Sequence, residues 1–276
     1  MVAPLLNEDV TERSEPGFVS AIPGTRVTAD HVRVSRPVRS PAVVPLPVAQ
    51  HSWALGSPDA EGDLAPWLDI ELPSELRRAI PRRQRQFRAG RFCALEALRM
   101  LVPARTFTSP GRAAGGAPVW PEGMTGSITH TDDFTSAAVA HATDVAAIGI
   151  DSEQVVSNAR ARAVVSVVSQ PVELERAREA GCDTAQALTL VFSAKESIFK
   201  CLHPLVGVWI GFHDVRIAGI DGRARTFDAV VVNALSDQIP AGTVLRGQFE
   251  LDATHVHTGI VLSGDTTPGV VFGGRR

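Results

Sequence analysis

VAAIGIDSEQ, residues 145–154, is an apolar run that ends in two carboxylates with one residue between them. In a strand, alternate side chains face one way, so Asp151 and Glu153 project together from its polar end. Upstream, SITHT (127–131) and FTSAAVAHA (134–142) read as two short strands with Asp132 and Asp133 at the turn between them. Further back, residues 73–102 carry a helical pattern in which Phe87, Phe92, Leu95, Leu98 and Val102 recur at spacings near three and four. Between helix and strands, 108–126 is rich in glycine and proline and reads as loop. The segment Val44–Val48 alternates like an extended strand despite its prolines. Downstream, 171–180 and 184–205 are helical patterns, and 214–264 is β-rich with turn residues between runs.

The order is strand, helix, strands, then strand, helices, strands. It predicts an α+β fold made of two halves of similar build joined near residue 148. The expected organisation is a loose N-terminal extension over 1–44, rich in Pro, Ser and Arg, an N-terminal half over 45–148 and a C-terminal half over 149–276. No short-period repeat points to a solenoid. Removing residues 1–44 is expected to leave activity intact.

Bulk properties exclude several classes. The formal net charge of -3 gives no global attraction to nucleic acid or to an anionic membrane. No apolar run reaches signal-peptide or membrane-spanning length. The three cysteines, Cys93, Cys182 and Cys201, form no CxxC pair, which argues against a zinc site or a disulfide framework and fits a reducing cytoplasm.

Four groups of residues could carry chemistry. Asp151 and Glu153 repel unless something positive lies between them. A divalent cation is one answer and a solvated strand end the other. In FSAKESIFK (192–200), Glu196 shares a helix face with Phe192, Phe199 and Lys200, so its carboxylate should be partly desolvated and in need of a partner. An ordinary surface Glu–Lys pair is the alternative. Together, three oxygen ligands without a thiolate favour a hard ion, Mg²⁺ before Zn²⁺, with Mn²⁺ as a substitute. In GSITHT (126–131), hydroxyls around His130 offer donors to phosphate oxygens. Seven arginines fall within 77–91, most readable as a solvated basic face, with Arg83 and Arg91 about two turns apart and able to grip a phosphate. No aromatic residues interleave with them as a nucleic-acid platform would require. His255 and His257 have strand spacing but no third ligand nearby, and read as an exposed strand face.

The stretches RRQRQFRAGR (82–91), PVWPEGMTGSITHT (118–131), GIDSE (149–153) and FSAKESIFK, in this order, resemble the phosphopantetheinyl transferases of the larger, two-halved type that includes the surfactin and enterobactin activators, in their actinobacterial form. The similarity runs from about residue 45 to the end. It implies a pseudo-twofold pair of α+β halves with coenzyme A in the cleft between them. It also implies transfer of 4′-phosphopantetheine to a serine of an apo acyl or peptidyl carrier protein, with release of 3′,5′-ADP. By position, Asp151, Glu153 and Glu196 would hold Mg²⁺, while Arg83, Arg91, Thr129 and His130 would contact the coenzyme A phosphates. Lys195 and Lys200 would neutralise or protonate the departing oxygen, and Glu196 could also accept the serine proton. Relatives usually carry a basic residue where this chain has Gly115, and Arg112 from the same loop could take its place. Such an enzyme can act as a monomer, since its pseudo-dimer lies within one chain. Fatty-acid, polyketide and non-ribosomal-peptide carriers all stay open as substrates. Two rival functions remain beside this one: a Mg²⁺-dependent phosphohydrolase of coenzyme A or a nucleotide, and an inactive coenzyme A-binding module.

Overall fold

The computed structural model describes residues 35–56, 65–156 and 165–264. The N-terminal half is an antiparallel sheet in the order β1-β2-β6-β5, from β1 (Arg36–Val38), β2 (Ala49–Ala54), β5 (Met124–His130) and β6 (Phe134–His141). Helix α1 (Pro81–Leu101) packs on β2 and β6. Within 108–126, read as loop from sequence, Gly111–Arg112 (β3) and Pro118–Val119 (β4) close a small hairpin.

The C-terminal half is a five-stranded antiparallel sheet in the order β7-β11-β10-β9-β8. Its strands are β7 (Val145–Gln154), β8 (Val215–Asp221), β9 (Thr226–Val231), β10 (Val244–Leu251) and β11 (His255–Ser263). Helices α2 (Pro171–Glu179) and α3 (Thr184–Val206) cover one face. A capping box between Asp183 and Gln186 starts α3, and Gly207, at φ 66, ends it. The main core lies beneath α3, around Leu188, Phe192, Ile198, Phe227 and Phe249. Helix α3 lies so low on β7 that a Cβ at residue 149 would run into the Ser197 carbonyl, which is why Gly149 stands there. Among the described residues no helix is long and apolar enough to cross a membrane.

The chain thus folds into two α+β halves, each a sheet with helices on one face. Strand β7 lies wholly in the second sheet, so a division at 148/149 would cut a strand, and the connection is the turn after His141. The halves meet at β5 and β7, each the edge of its own sheet. Hydroxyls take the place of a ladder there. Ser127 Oγ accepts the Ile150 N–H at 3.1 Å, and Thr129 Oγ1 accepts the Ser152 N–H at 2.8 Å. Val43, Val48, Ala138, Ala140, Val145, Ile148 and Ile150 fill the space behind the seam.

Three expectations change. The structured part starts before residue 45, because β1 pairs with β2 and Val43 is buried at the seam. Val44–Val48 is not a strand: the Val48 N–H closes a turn on the Pro45 carbonyl, and Pro45 and Pro47 have no N–H to give a ladder. The buried face of α1 is made mostly of small residues, Ala89, Gly90, Cys93, Ala94 and Ala97, with Leu98, while Phe92 and Leu95 are half-buried. The close approach of helix to sheet selects small side chains, since a Cβ on Gly90 would lie 2.9 Å from Ile128 Cγ2.

Candidate active site

Period-two geometry brings Asp151 to the inner side of β7, where its carboxylate is buried. Its Oδ1 receives the Lys200 ammonium at 2.6 Å, and Lys200 also donates to the Ile150 carbonyl at 3.2 Å. Its Oδ2 is buried without a hydrogen-bond partner. Glu196 lies one turn before Lys200 on α3. Burial, reinforced by the Asp151 charge and opposed by Lys200, pushes its carboxyl up to about 7. Burial alone would lower the Lys200 pKa, but Asp151, Glu196 and Glu153 together outweigh it and raise it. The three carboxylates named from sequence therefore gather around one ammonium.

As they stand they do not form a preassembled metal cage. Among the described residues no group of three His, Cys, Asp or Glu is arranged to hold an ion, and Lys200 occupies Asp151 Oδ1. The donor set still suits a hard divalent cation. All donors are carboxylate oxygens, one is buried and unpartnered, and Glu196 is short of compensating positive charge.

A second group faces this one. His130, at the end of β5, has Nε2 2.7 Å from Arg83 Nη1. A guanidinium only donates, so Nε2 accepts and the ring proton sits on Nδ1, which is buried with no partner. Burial first, then Arg83 and Lys200, push the imidazole down to about 3, so it is neutral. Arg91 is pushed down to about 10 by burial and by Arg112 and Arg83; Arg83 is lowered by burial and Arg112. Arg91 is anchored to the Gly111 carbonyl at 3.1 Å, on the strand that carries Arg112, and its Nε is buried and unpartnered. Gly116, at φ +91, makes room for the Arg112 guanidinium, since a Cβ there would lie 3.2 Å from Nη2. Three neighbouring guanidiniums and an unused N–H have the chemistry to hold an anion.

Arg77 and Arg78, before α1, are exposed as a solvated basic face would be, whereas three arginines of α1 are tied to neighbouring groups. Arg88 donates to the Ile70 carbonyl at 3.0 Å, Arg85 to the Gly56 carbonyl, and Arg82 pairs with Asp132 at 2.5 Å. They pin the preceding loop and the β5–β6 turn to the helix.

Two predicted site residues are engaged elsewhere. The Thr129 hydroxyl serves the seam, accepting from Ser152 and lying 3.5 Å from Asp151 Oδ1, so it is not free to meet a phosphate. Lys195 points into the core away from Asp151 and Glu196. Its ammonium donates to Glu173 at 2.9 Å, to the Val168 carbonyl at 3.0 Å and to the Phe212 carbonyl at 2.8 Å, which exhausts its three protons. Adjacent helix residues point about 100° apart, so Lys195 and Glu196 cannot share a face. His255 and His257 are not an exposed strand face either. His255 Nε2 lies 2.8 Å from Asp133 Oδ1, His257 Nδ1 lies 2.9 Å from Ser152 Oγ, and both rings pack on Phe134, tying β11 to the β5–β6 turn.

Sequence reading missed an aromatic wall. Phe192 is buried in the core against Phe212, but Phe199 turns to Trp209 at 5.5 Å and to His203 at 4.9 Å. Trp209 is 57% exposed. The signal available was Phe199 at the i+3 position from Glu196; nothing in the sequence said which loop its ring would meet.

Comparison with known proteins identifies the family of the chain. The family model described as the 4′-phosphopantetheinyl transferase N-terminal domain matches residues 72–140, and that of the 4′-phosphopantetheinyl transferase superfamily matches 147–254. The chain is 34% identical over 222 residues to 4′-phosphopantetheinyl transferase Svp of Streptomyces mobaraensis, covering 70% of this chain and 89% of the relative. It is 30% identical over 202 residues to 4′-phosphopantetheinyl transferase PptT of Mycobacterium tuberculosis, covering 69% and 86%. Against enterobactin synthase component D of Salmonella typhimurium it is 33% identical over 180 residues, 64% of this chain and 72% of the relative.

Proposed function

The chain belongs to the 4′-phosphopantetheinyl transferases, and from that premise we propose how its seam carries out the transfer. The donor is coenzyme A and the acceptor a serine of an apo acyl or peptidyl carrier protein. Neither nucleic acid nor membrane takes part, and the enzyme works as a cytoplasmic monomer. The reading rests chiefly on one observation. His130 meets Arg83 at 2.7 Å, while its neighbour Thr129 lies 3.5 Å from the Asp151 oxygen that Lys200 holds at 2.6 Å, so a phosphate grip and a charge-neutralising group adjoin across the seam.

Arg83, Arg91 and Arg112 would hold the phosphates of coenzyme A, with His130 donating its free Nδ1–H as a neutral imidazole. The apolar part of the pantetheine arm would lie along Phe199 and Trp209. Asp151, through its unpartnered oxygen, would hold Mg²⁺ with Glu153 and Glu196. Once bound, the ion supplies Lewis-acid stabilisation of the diphosphate.

The serine oxygen attacks the β-phosphorus, the bond to the bridging oxygen breaks, and that oxygen leaves with 3′,5′-ADP. Catalysis here is placement plus neutralisation of charge. Lys200 supplies the positive charge at the leaving side. Glu196 takes the serine proton, directly or through water. A carboxylate shared with a cation is a weaker base, so for Glu196 to act as the base the ion would be held mainly by Asp151 and Glu153.

The decisive experiment mixes the protein with coenzyme A, Mg²⁺ and a panel of apo carriers, and reads carrier mass. A gain of one phosphopantetheine on any carrier is the expected result. Hydrolysis of coenzyme A without a carrier, and no mass gain with one, would overturn the reading in favour of a phosphohydrolase.

A further inference from the structure

The Lys195–Glu173 pair joins five separate segments at one buried point. Glu173, in the first turn of α2, is fully buried, and its oxygens accept from Lys195, from the Gln170 N–H at 2.7 Å and from the Ile217 N–H at 2.7 Å on β8. Lys195 adds the carbonyls of Val168, just before α2, and of Phe212, in the loop after α3. Every charged hydrogen and both carboxylate oxygens are used. Removing one partner would strand a buried charge, so the pair holds its segments in one arrangement.

Two of those segments border the site. The loop held at Phe212 carries Trp209 three residues earlier, and Trp209 forms the aromatic wall with Phe199. The helix that carries Lys195 carries Glu196 next to it and Lys200 five residues on. The ammonium therefore fixes both the rotation of α3, which aims Glu196 and Lys200, and the place of the loop that aims Trp209. It lies away from the phosphate grip, whose groups sit on α1, β3 and β5.

We propose that Lys195 is a positioning residue that acts through Glu173: it never meets the substrate, and it sets the aromatic wall and the Glu196–Lys200 face relative to the phosphate grip. The proposal rests on the reading of Phe199 and Trp209 as the seat of the pantetheine arm. Such a residue separates two affinities that a direct phosphate ligand would not. A displacement near 1 Å is enough to cost about a hundredfold in rate.

Lys195→Met and Glu173→Gln provide the test, with Kd measured by calorimetry for 3′,5′-ADP and for coenzyme A, and kcat and KM by carrier modification. Both variants are expected to bind 3′,5′-ADP within about twofold of the parent. They should bind coenzyme A about tenfold more weakly and lose about a hundredfold in kcat. The double variant should be no worse than Lys195→Met, since the two act as one unit. Lys195→Arg, which keeps a cation and its donors, should recover part of the loss. Glu173→Gln keeps the shape and an acceptor for the α2 N-terminus, so it carries the test if Lys195→Met does not fold. The proposal is overturned if Lys195→Met loses turnover while Glu173→Gln is normal, which would mean direct action on substrate. It is also overturned if the affinities for 3′,5′-ADP and coenzyme A fall together, or if all constants stay at parent values. Absence of transfer by the parent would sink the assigned activity, while the two binding constants would still judge the positioning role.

Discussion

Lys200 Nζ lies 2.6 Å from Asp151 Oδ1, a contact between the one helix and the one strand that carry the acidic cluster. The Asp151 side chain is 4% exposed and that of Lys200 27%, so the carboxylate depends on this ammonium more than the reverse. Whatever sits at the seam, this pair sets its charge.

Lys200→Met should therefore harm both stability and chemistry. It leaves a buried carboxylate unpaired, at a cost of about 3 kcal/mol, and removes the positive charge at the leaving oxygen. Adding Asp151→Asn should restore much of the melting temperature but none of the turnover. A single Lys200→Met variant that melts like the parent would contradict the dependence.

Glu196 makes stability depend on pH in the unusual direction. Its ordinary value is 4.5 and its folded value about 7. Between these, the unfolded chain has released the proton that the folded chain keeps, so stability falls as pH rises through the window and stays lower above it. In protein freed of divalent ions with a chelator, Glu196→Gln should gain on the order of 2 kcal/mol over the parent at pH 8. Near pH 4.5 the gain should vanish. Denaturant melts at the two pH values measure it, and a pH-independent difference would show that Glu196 is not buried in this way. The same substitution should abolish carrier modification.

How much of this was readable from residues alone depends on whether the information was local. The carboxylates of β7 follow from strand periodicity, and Glu196 with Lys200 from helix periodicity, so their side of the site was legible. Lys195 was not. On a helix it is one step from Glu196, and only the packing of α2 and β8 against α3 decides that it faces Glu173. Thr129 was misread for the same reason, because its partner is a backbone N–H of the other sheet. Most arginines near α1 were read as solvated, whereas loop carbonyls at Gly56 and Ile70 claim two of them. The α+β order and the two halves were visible because each element carried its own period; the start of the fold was not, because proline-rich sequence hid the β1 pairing and Val43.

The seam hydroxyls should be worth more than their size suggests. Thr129→Val keeps the shape of the side chain but leaves the Ser152 N–H buried without an acceptor, a cost of about 1–3 kcal/mol. Ser127→Ala does the same to Ile150. Both should lower the denaturation midpoint without a change in m-value, and Thr129→Val should weaken coenzyme A binding because the two subsites lie on opposite sides of that bond. Thr129→Ser, which keeps the acceptor, should restore most of the coenzyme A affinity. Normal binding in a folded Thr129→Val variant would mean that the seam does not set the distance between the subsites.

The residues just before Val44 belong to the fold, contrary to the reading of 1–44 as a dispensable extension. Val43 is 2% exposed, and its backbone packs so closely on Gly259 of β11 that no Cβ fits there. Arg39 pairs with Glu250 at 3.0 Å on the surface, which adds little by itself. Burying the Val43 side chain contributes roughly 1.5–3 kcal/mol, and β1 covers the edge of β2. A chain starting at residue 35 keeps all three features and one starting at 45 loses them, so the second should melt several degrees lower and lose carrier modification on mild heating that the first survives. Gly259→Ala should reproduce the loss in the full chain by pushing the Val43 segment off β11. Equal melting temperatures for the two truncations would show that this segment contributes nothing to holding the halves together.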